Sequence, residues 1–171
     1  MTAGAQSQLA ALGWVHAAFA EQAIEYRLFG GWAVDFHAGS VTRRHDDVDI
    51  VVWLADRGRI AALLEASGWT HAPEPDEDGG TGYERDGVRL ELTFVVPEDG
   101  VVYLPLRSGR VVWPEDMLGN EVAELDGVTA RIVPLAGLRR GKSRARDDEA
   151  DAVKDRADLA TLEQLSERAQ S

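Results

Sequence analysis

Three acids and a pair of glycines are the residues in this chain whose types and spacing suit chemistry. Asp47 and Asp49 flank a single valine, and Gly30-Gly31-Trp32 stands a short helix upstream of them. The run from Val48 to Trp53, Val-Asp-Ile-Val-Val-Trp, is β-branched and aromatic, which favours a strand. Side chains two apart on a strand point to the same face. Asp47, Asp49 and Val51 then share one face, and Val48, Ile50 and Val52 the other. Paired carboxylates of this kind offer the hard oxygen donors that Mg²⁺ takes. A glycine pair lets the backbone approach a phosphate with no side chain in the way. The third acid, Glu91, falls in a second expected strand, Val88 to Val96. There Val88, Leu90, Leu92 and Phe94 line the apolar face, and Arg89, Glu91 and Thr93 the polar one.

The surrounding pattern supplies the scaffold. Leu9, Leu12, His16, Phe19, Ala23 and Ile24 recur at helical spacing and predict a helix over about 7–25. Tyr26 to Phe29 reads as a short strand running into the glycines. Trp32 to Ala38 reads as a helix stopped by Gly39, its N-terminus turned toward the phosphate site. Asp56 is placed to cap a helix bearing Ile60, Leu63 and Leu64, with Gly68 at its end. Pro73 to Gly82 combines turn formers with acids and predicts an exposed loop. Asp86-Gly87 and Asp126-Gly127 mark two hairpins, the second within Asn120 to Val133. After Pro134 the pattern is helical. A last helix from about Asp147 carries Ala150, Val153, Ala157 and Ala160 inward.

Composition narrows the function classes. The chain of 171 residues holds 30 acidic and 18 basic side chains, a net charge of −12, which argues against sequence-independent binding of nucleic acid. The negative field suits either a cationic partner or simple solubility. No apolar run is long enough to span a bilayer, and cysteine is absent, so a cytoplasmic enzyme without membrane attachment is the expectation. Length suits a single domain over 1–171, with a catalytic core at about 1–97 and a C-terminal hairpin and helical part at about 98–171. Against the acidic background, Arg139 to Arg146 holds five basic groups and no acid. That cluster reads equally as a phosphate-binding element or as a solvated turn.

The stretch Gly30-Gly31-Trp32-Ala33-Val34-Asp35, then Gly39, Thr42-Arg43 and His45-Asp46-Asp47-Val48-Asp49, resembles the polymerase β type nucleotidyltransferase superfamily. Within it the chain is similar to the small antibiotic-modifying enzymes of the aminoglycoside 2″-O-adenylyltransferase type. The resemblance implies an α/β (α+β) nucleotidyltransferase fold, a mixed β-sheet flanked by helices with a C-terminal hairpin and helix. It implies that Asp47 and Asp49 bind one or two Mg²⁺ ions, and that Glu91 completes the acidic cluster and accepts the acceptor hydroxyl's proton. Gly30 and Gly31 would cradle the triphosphate of ATP or another nucleoside triphosphate. Arg43 and one or more of Lys142, Arg144 and Arg146 would neutralise the departing pyrophosphate. The implied acceptor is a hydroxyl of a small cationic molecule, an aminoglycoside first and a lincosamide second, acted on by a monomer or homodimer. A noncatalytic, antitoxin-like module binding a protein is the reading from another class. Two departures stand out: Trp32 occupies the place where many superfamily members have serine, and Glu91 stands where the aminoglycoside enzymes have aspartate.

Overall fold

Strands β1 (Tyr26–Phe29) and β2 (Val48–Trp53) form where the β-branched pattern places them, and their pairing is antiparallel, with Phe29 opposite Asp49. The computed structural model describes residues 1–143 and 149–169. Between the two strands lies α2 (Gly30–Ala38), which takes the glycine pair into its first turn and stops at Gly39, left-handed at φ 69°. The remaining strands are β3 (Thr70–His71), β4 (Gly80–Arg85), β5 (Val88–Glu98), β6 (Val101–Leu106), β7 (Gly109–Val112), β8 (Glu121–Leu125) and β9 (Val128–Ile132). The sheet runs β3-β4-β5-β2-β1-β9-β8, and β6 and β7 extend it from the end of β5. β2 lies parallel to β5, and β1 parallel to β9, so the sheet is mixed and the C-terminal hairpin continues it.

Among the described residues five α-helices flank the sheet: α1 (Ala3–Glu21), α2, α3 (Arg57–Ala66), α4 (Leu135–Lys142) and α5 (Glu149–Ala169). α1 packs across β9 and β5 through Leu9, Leu12, Val15 and Phe19, while α2 packs against α4 and α5. Burying each such side chain contributes about 1.5–3 kcal/mol. The alternation read from β5 is the one observed, with Leu90, Leu92 and Phe94 buried and Arg89, Glu91 and Thr93 half-buried.

Several boundaries differ from the sequence reading, each for a local reason. α1 begins at Ala3, capped by the Thr2 hydroxyl, and ends at Glu21. Its left-handed terminator is Ala23 (φ 51°) rather than a glycine, after which the Ile24 amide donates to the Phe19 carbonyl. Asp56 stands at the N-cap of α3 without capping it, and its carboxylate accepts from Arg59 instead. The acidic loop is shorter than Pro73–Gly82, because Gly80 and Gly82 lie in β4. A Cβ at either would collide, with the Leu92 carbonyl in one case and the Arg89 guanidinium in the other. The hairpin β6–β7 has no counterpart in the sequence reading. Of the expectations for the chain's end, those on Arg144, Arg146 and Asp147 lie outside the described residues.

Candidate active site

Asp49 sits in the middle of the site because three strands converge there. β1 ends beside it at Phe29, and β5 presents Glu91 as its direct partner in the parallel ladder. Direct partners in register project to one face, so Glu91 shares the polar face with Asp49. Asp47 lies one residue before β2, where the chain rises into the strand. Gly30, at φ 68°, turns the chain from β1 into α2, and a Cβ there would strike the Asp49 carboxylate. A Cβ on Gly31 would strike the guanidinium of Arg43 and the ring of His45. The glycine pair is therefore required twice, for the backbone turn and for the close approach of an acid and a cation.

Behind the glycines a buried polar network holds the loop that delivers Asp47. Asp35, fully buried, accepts hydrogen bonds from the Thr42 amide and hydroxyl and from the His45 ring. The Trp32 indole donates to the Gln8 side chain, whose amide donates to the His45 carbonyl at 3.2 Å. Trp32 thus packs beneath the loop and stacks near His45. His45 is a structural hydrogen-bonding residue here.

The electrostatics of the acids are unbalanced. Burial, then the charge of Asp47, then that of Glu91 push the Asp49 carboxyl up to about 7, against a pull from Lys142. Burial also raises Glu91, partly offset by Arg89, whose Nε donates to Glu91 Oε1. Like-charged carboxylates crowded together disfavour ionisation, and a cation between them relieves it. The donor chemistry fits a hard divalent ion: oxygen only, from Asp47, Asp49 and, across the ladder, Glu91. Among the described residues, no three His, Asp or Glu groups already stand at metal-binding spacing. Glu91 is drawn instead toward Arg89.

Arg43 and Lys142, expected at the phosphates, do line the cleft, and both are engaged. Arg43 donates two hydrogen bonds to the Asp158 carboxylate, at 2.8 and 3.0 Å, and Lys142 reaches Asp155 and Asp158, each at 2.8 Å. Burial pushes Asp158 upward, but hydrogen bonds from Arg43 and Lys142 outweigh it and hold the carboxyl below its ordinary range. This network clamps the loop before Asp47 to α4 and α5. Sequence reasoning did not single out Asp155 or Asp158 as partners, since a contact between sequence-distant residues leaves no local signature.

Two adjoining clefts open at Asp49. The larger, of 580 Å³, is lined by Gly30 and Gly31, by four cations (Arg43, Arg140, Lys142 and Lys154) interleaved with five acids (Asp46, Asp47, Asp49, Asp151 and Asp155), and by apolar Leu104, Val111, Val112 and Trp113. The smaller, of 460 Å³, is lined by six carboxylates: Asp49, Glu74, Asp76, Glu77, Asp78 and Glu91. Thr93 and Leu104 border both. Glu98 and Asp99 line neither cleft; they stand at the β5–β6 turn. The acidic loop is fastened at its far end, where the Arg107 amide donates to Asp78 at 3.0 Å.

The family model of the aminoglycoside-2″-adenylyltransferases matches residues 11–162. The chain belongs to that family. Among curated relatives, a 2″-aminoglycoside nucleotidyltransferase of Klebsiella pneumoniae is 34% identical over 70 residues, 41% of this chain and 40% of the relative. One of Escherichia coli is 46% identical over 39 residues, 23% of this chain and 22% of the relative. These matches therefore span less than half of the relatives' length. The fold is shared more widely. The structure of ANT(2″)-Ia in complex with adenylyl-2″-tobramycin superposes with a TM-score of 0.70 at 21% identity, covering 94% of this chain and 93% of that one. A lincomycin-bound lincosamide antibiotic adenylyltransferase superposes with a TM-score of 0.69 at 18% identity, covering 89% and 94%. At such identities the likeness is one of fold. This member of the aminoglycoside-2″-adenylyltransferase family keeps the mixed sheet and flanking helices expected from its sequence. None of its described helices is long and apolar enough to cross a membrane.

Proposed function

We propose that this chain transfers AMP from ATP to a hydroxyl of a polycationic small molecule, an aminoglycoside, and releases pyrophosphate. The observation that carries the reading is the contrast in charge between the two clefts that meet at Asp49. The glycine pair and four cations stand in the larger cleft, interleaved with acids, as a triphosphate carrying a divalent ion requires, whereas six carboxylates and, among the described residues, no cation line the smaller, as a molecule with several ammonium groups requires. Family membership supports the same reaction.

In this reading the triphosphate lies along Gly30 and Gly31, its phosphates near Arg43 and Lys142, and the apolar wall of β6 and β7 accommodates the base. The acceptor hydroxyl, oriented by the acidic pocket, attacks the α-phosphorus. An O–P bond forms, the bond to the β-phosphate oxygen breaks, and the hydroxyl proton passes to Glu91. A divalent ion, held by Asp47 and Asp49 with Glu91 completing the set, would stabilise charge on the entering and leaving oxygens. Arg43 and Lys142 are already oriented by Asp155 and Asp158, so they meet the developing charge on pyrophosphate with little reorganisation.

The test is incubation with Mg²⁺, labelled ATP and a panel of aminoglycosides and lincosamides, with Asp49→Asn as control. Labelled aminoglycoside and pyrophosphate from the wild type alone are expected. Label on a lincosamide only would shift the acceptor class. Label on a protein would favour a partner-binding module, and equal behaviour of wild type and Asp49→Asn would remove the metal assignment.

A further inference from the structure

Arg89 is a cation on the polar face of β5 for which the reaction outlined above has no task. Its guanidinium meets three carboxylates from three parts of the chain. Nε donates to Glu91 Oε1 two residues along the strand, Nη1 donates to Glu84 of β4 at 3.0 Å, and Nη2 lies 3.1 Å from Glu74 of the acidic loop. Gly82 makes room for it, since a Cβ at that position would strike Nη2. The Arg89 and Glu91 side chains are 19% and 27% exposed, so their contact is shielded from much of the surrounding water, while Glu84 and Glu74 stand more open at 55% and 64%.

The geometry bears on the departure noted at position 91. A glutamate carries its carboxylate on one more rotatable bond than an aspartate, and a base that must meet a hydroxyl within about 3 Å is weakened by such freedom. Arg89 takes only Oε1 of Glu91. Among the described residues no other donor reaches that carboxylate, and Glu91 lines the acidic pocket beside Asp49. A planar guanidinium fixes direction as well as charge, whereas a lysine ammonium in the same place supplies a point charge on a flexible stem.

We propose that Arg89 is a positioning residue for the transfer: it pins one oxygen of Glu91 so that the other serves the acceptor hydroxyl, and through Glu74 it ties that carboxylate to the acidic loop. The proposal rests on the function inferred above. Arg89 compensates for the extra methylene of Glu91, so the two residues act as one unit.

The experiment is a double-mutant cycle read in adenylyl transfer from ATP to tobramycin with Mg²⁺, using Arg89→Gln, Arg89→Lys, Glu91→Asp and Arg89→Gln/Glu91→Asp. Arg89→Gln is expected to lower kcat about 10- to 100-fold, with KM for ATP within about twofold. Arg89→Lys, which keeps charge but loses the fork, should recover less than about a third of the loss on a logarithmic scale. In the Glu91→Asp background the shorter carboxylate no longer reaches Arg89, and Arg89→Gln should then change kcat by less than about twofold. A readout without substrates accompanies the kinetics: amide hydrogen exchange over 73–79 should quicken about tenfold in Arg89→Gln while α1 and α2 keep their protection. If Arg89→Gln does not fold, Arg89→Lys carries the same comparison. Equal losses in both backgrounds, or kcat within about twofold of wild type with loop exchange unchanged, overturn the proposal alone. A wild type that adenylylates no acceptor overturns the function and the proposal together.

Discussion

Replacing Asp49 by asparagine should abolish transfer and yet stabilise the metal-free fold. The carboxyl stands at about 7 against an ordinary value of 3.8, a rise of about three pH units. Each unit corresponds to about 1.4 kcal/mol, which sets an upper bound of about 4 kcal/mol on the cost of keeping Asp49 ionised. Asp49 is half-buried rather than sealed from water, so a gain of about 1–3 kcal/mol is the expectation for Asp49→Asn. The sign follows from a folded-state pKa above the unfolded one. The favourable state, with Asp49 protonated, is complete below about pH 4; it is lost progressively up to about pH 7, beyond which the penalty is constant. The variant's advantage should therefore be full above pH 7, shrink between 7 and 4 and vanish below 4. Urea unfolding with a chelator at pH 5, 6.5 and 8 measures it, and a gain of 1–3 kcal/mol corresponds to a melting point higher by about 3–10 °C. Added Mg²⁺ should narrow the gap by binding the wild type. A variant no more stable than wild type at pH 8, or a gain independent of pH, would refute the account of crowded acids.

Other outcomes follow from the same geometry. Gly30→Ala, which puts a Cβ against Asp49 at φ 68°, should destabilise the fold by about 1–3 kcal/mol in denaturant titration and reduce turnover beyond that loss. Asp158→Asn leaves Arg43 and Lys142 without a shared carboxylate whose side chain is 1% exposed, and should cost about 2–4 kcal/mol. Because the Asp158 pKa is lowered on folding, the wild type's contribution from this group is present above its ordinary range and lost as the pH falls, so the variant's unfolding free energy should depend less on acid. Asp76→Asn and Glu77→Gln should raise KM for a polycationic acceptor, and added salt should raise it for the wild type. Asp99→Asn, at the β5–β6 turn and away from both clefts, should leave that KM unchanged in the same assay.

Local signals made most of the site legible. β1, β2 and the Asp86-Gly87 hairpin appear where propensity and turn chemistry put them, and the period of two in β5 placed Glu91 on the polar face with Asp49. What escaped depended on distant contacts. Gly80 and Gly82 signal a loop by composition, but they are strand residues because neighbouring atoms leave no room for a Cβ. The β5–β6 hairpin was missed although Asp99-Gly100 carries the same left-handed pair (φ 50° and 79°) as the other Asp-Gly turns, and the β6–β7 turn at Arg107-Ser108 offers no such pair. The pairing of Arg43 with Asp158 bridges the first third of the chain and the last helix, and nothing in either segment names the other.

The parallel ladder between β2 and β5 has a bearing on how this protein acquires its working state. Asp49 and Glu91 become neighbours only after α3, β3 and β4 have been threaded between their strands. Such non-local pairing forms slowly, after helices such as α1 have gained their local hydrogen bonds. Mutually repelling charges are thus assembled at the end of the route. Refolding monitored by circular dichroism should recover helicity ahead of turnover, and a preparation halted partway would look native by its spectrum while remaining inert.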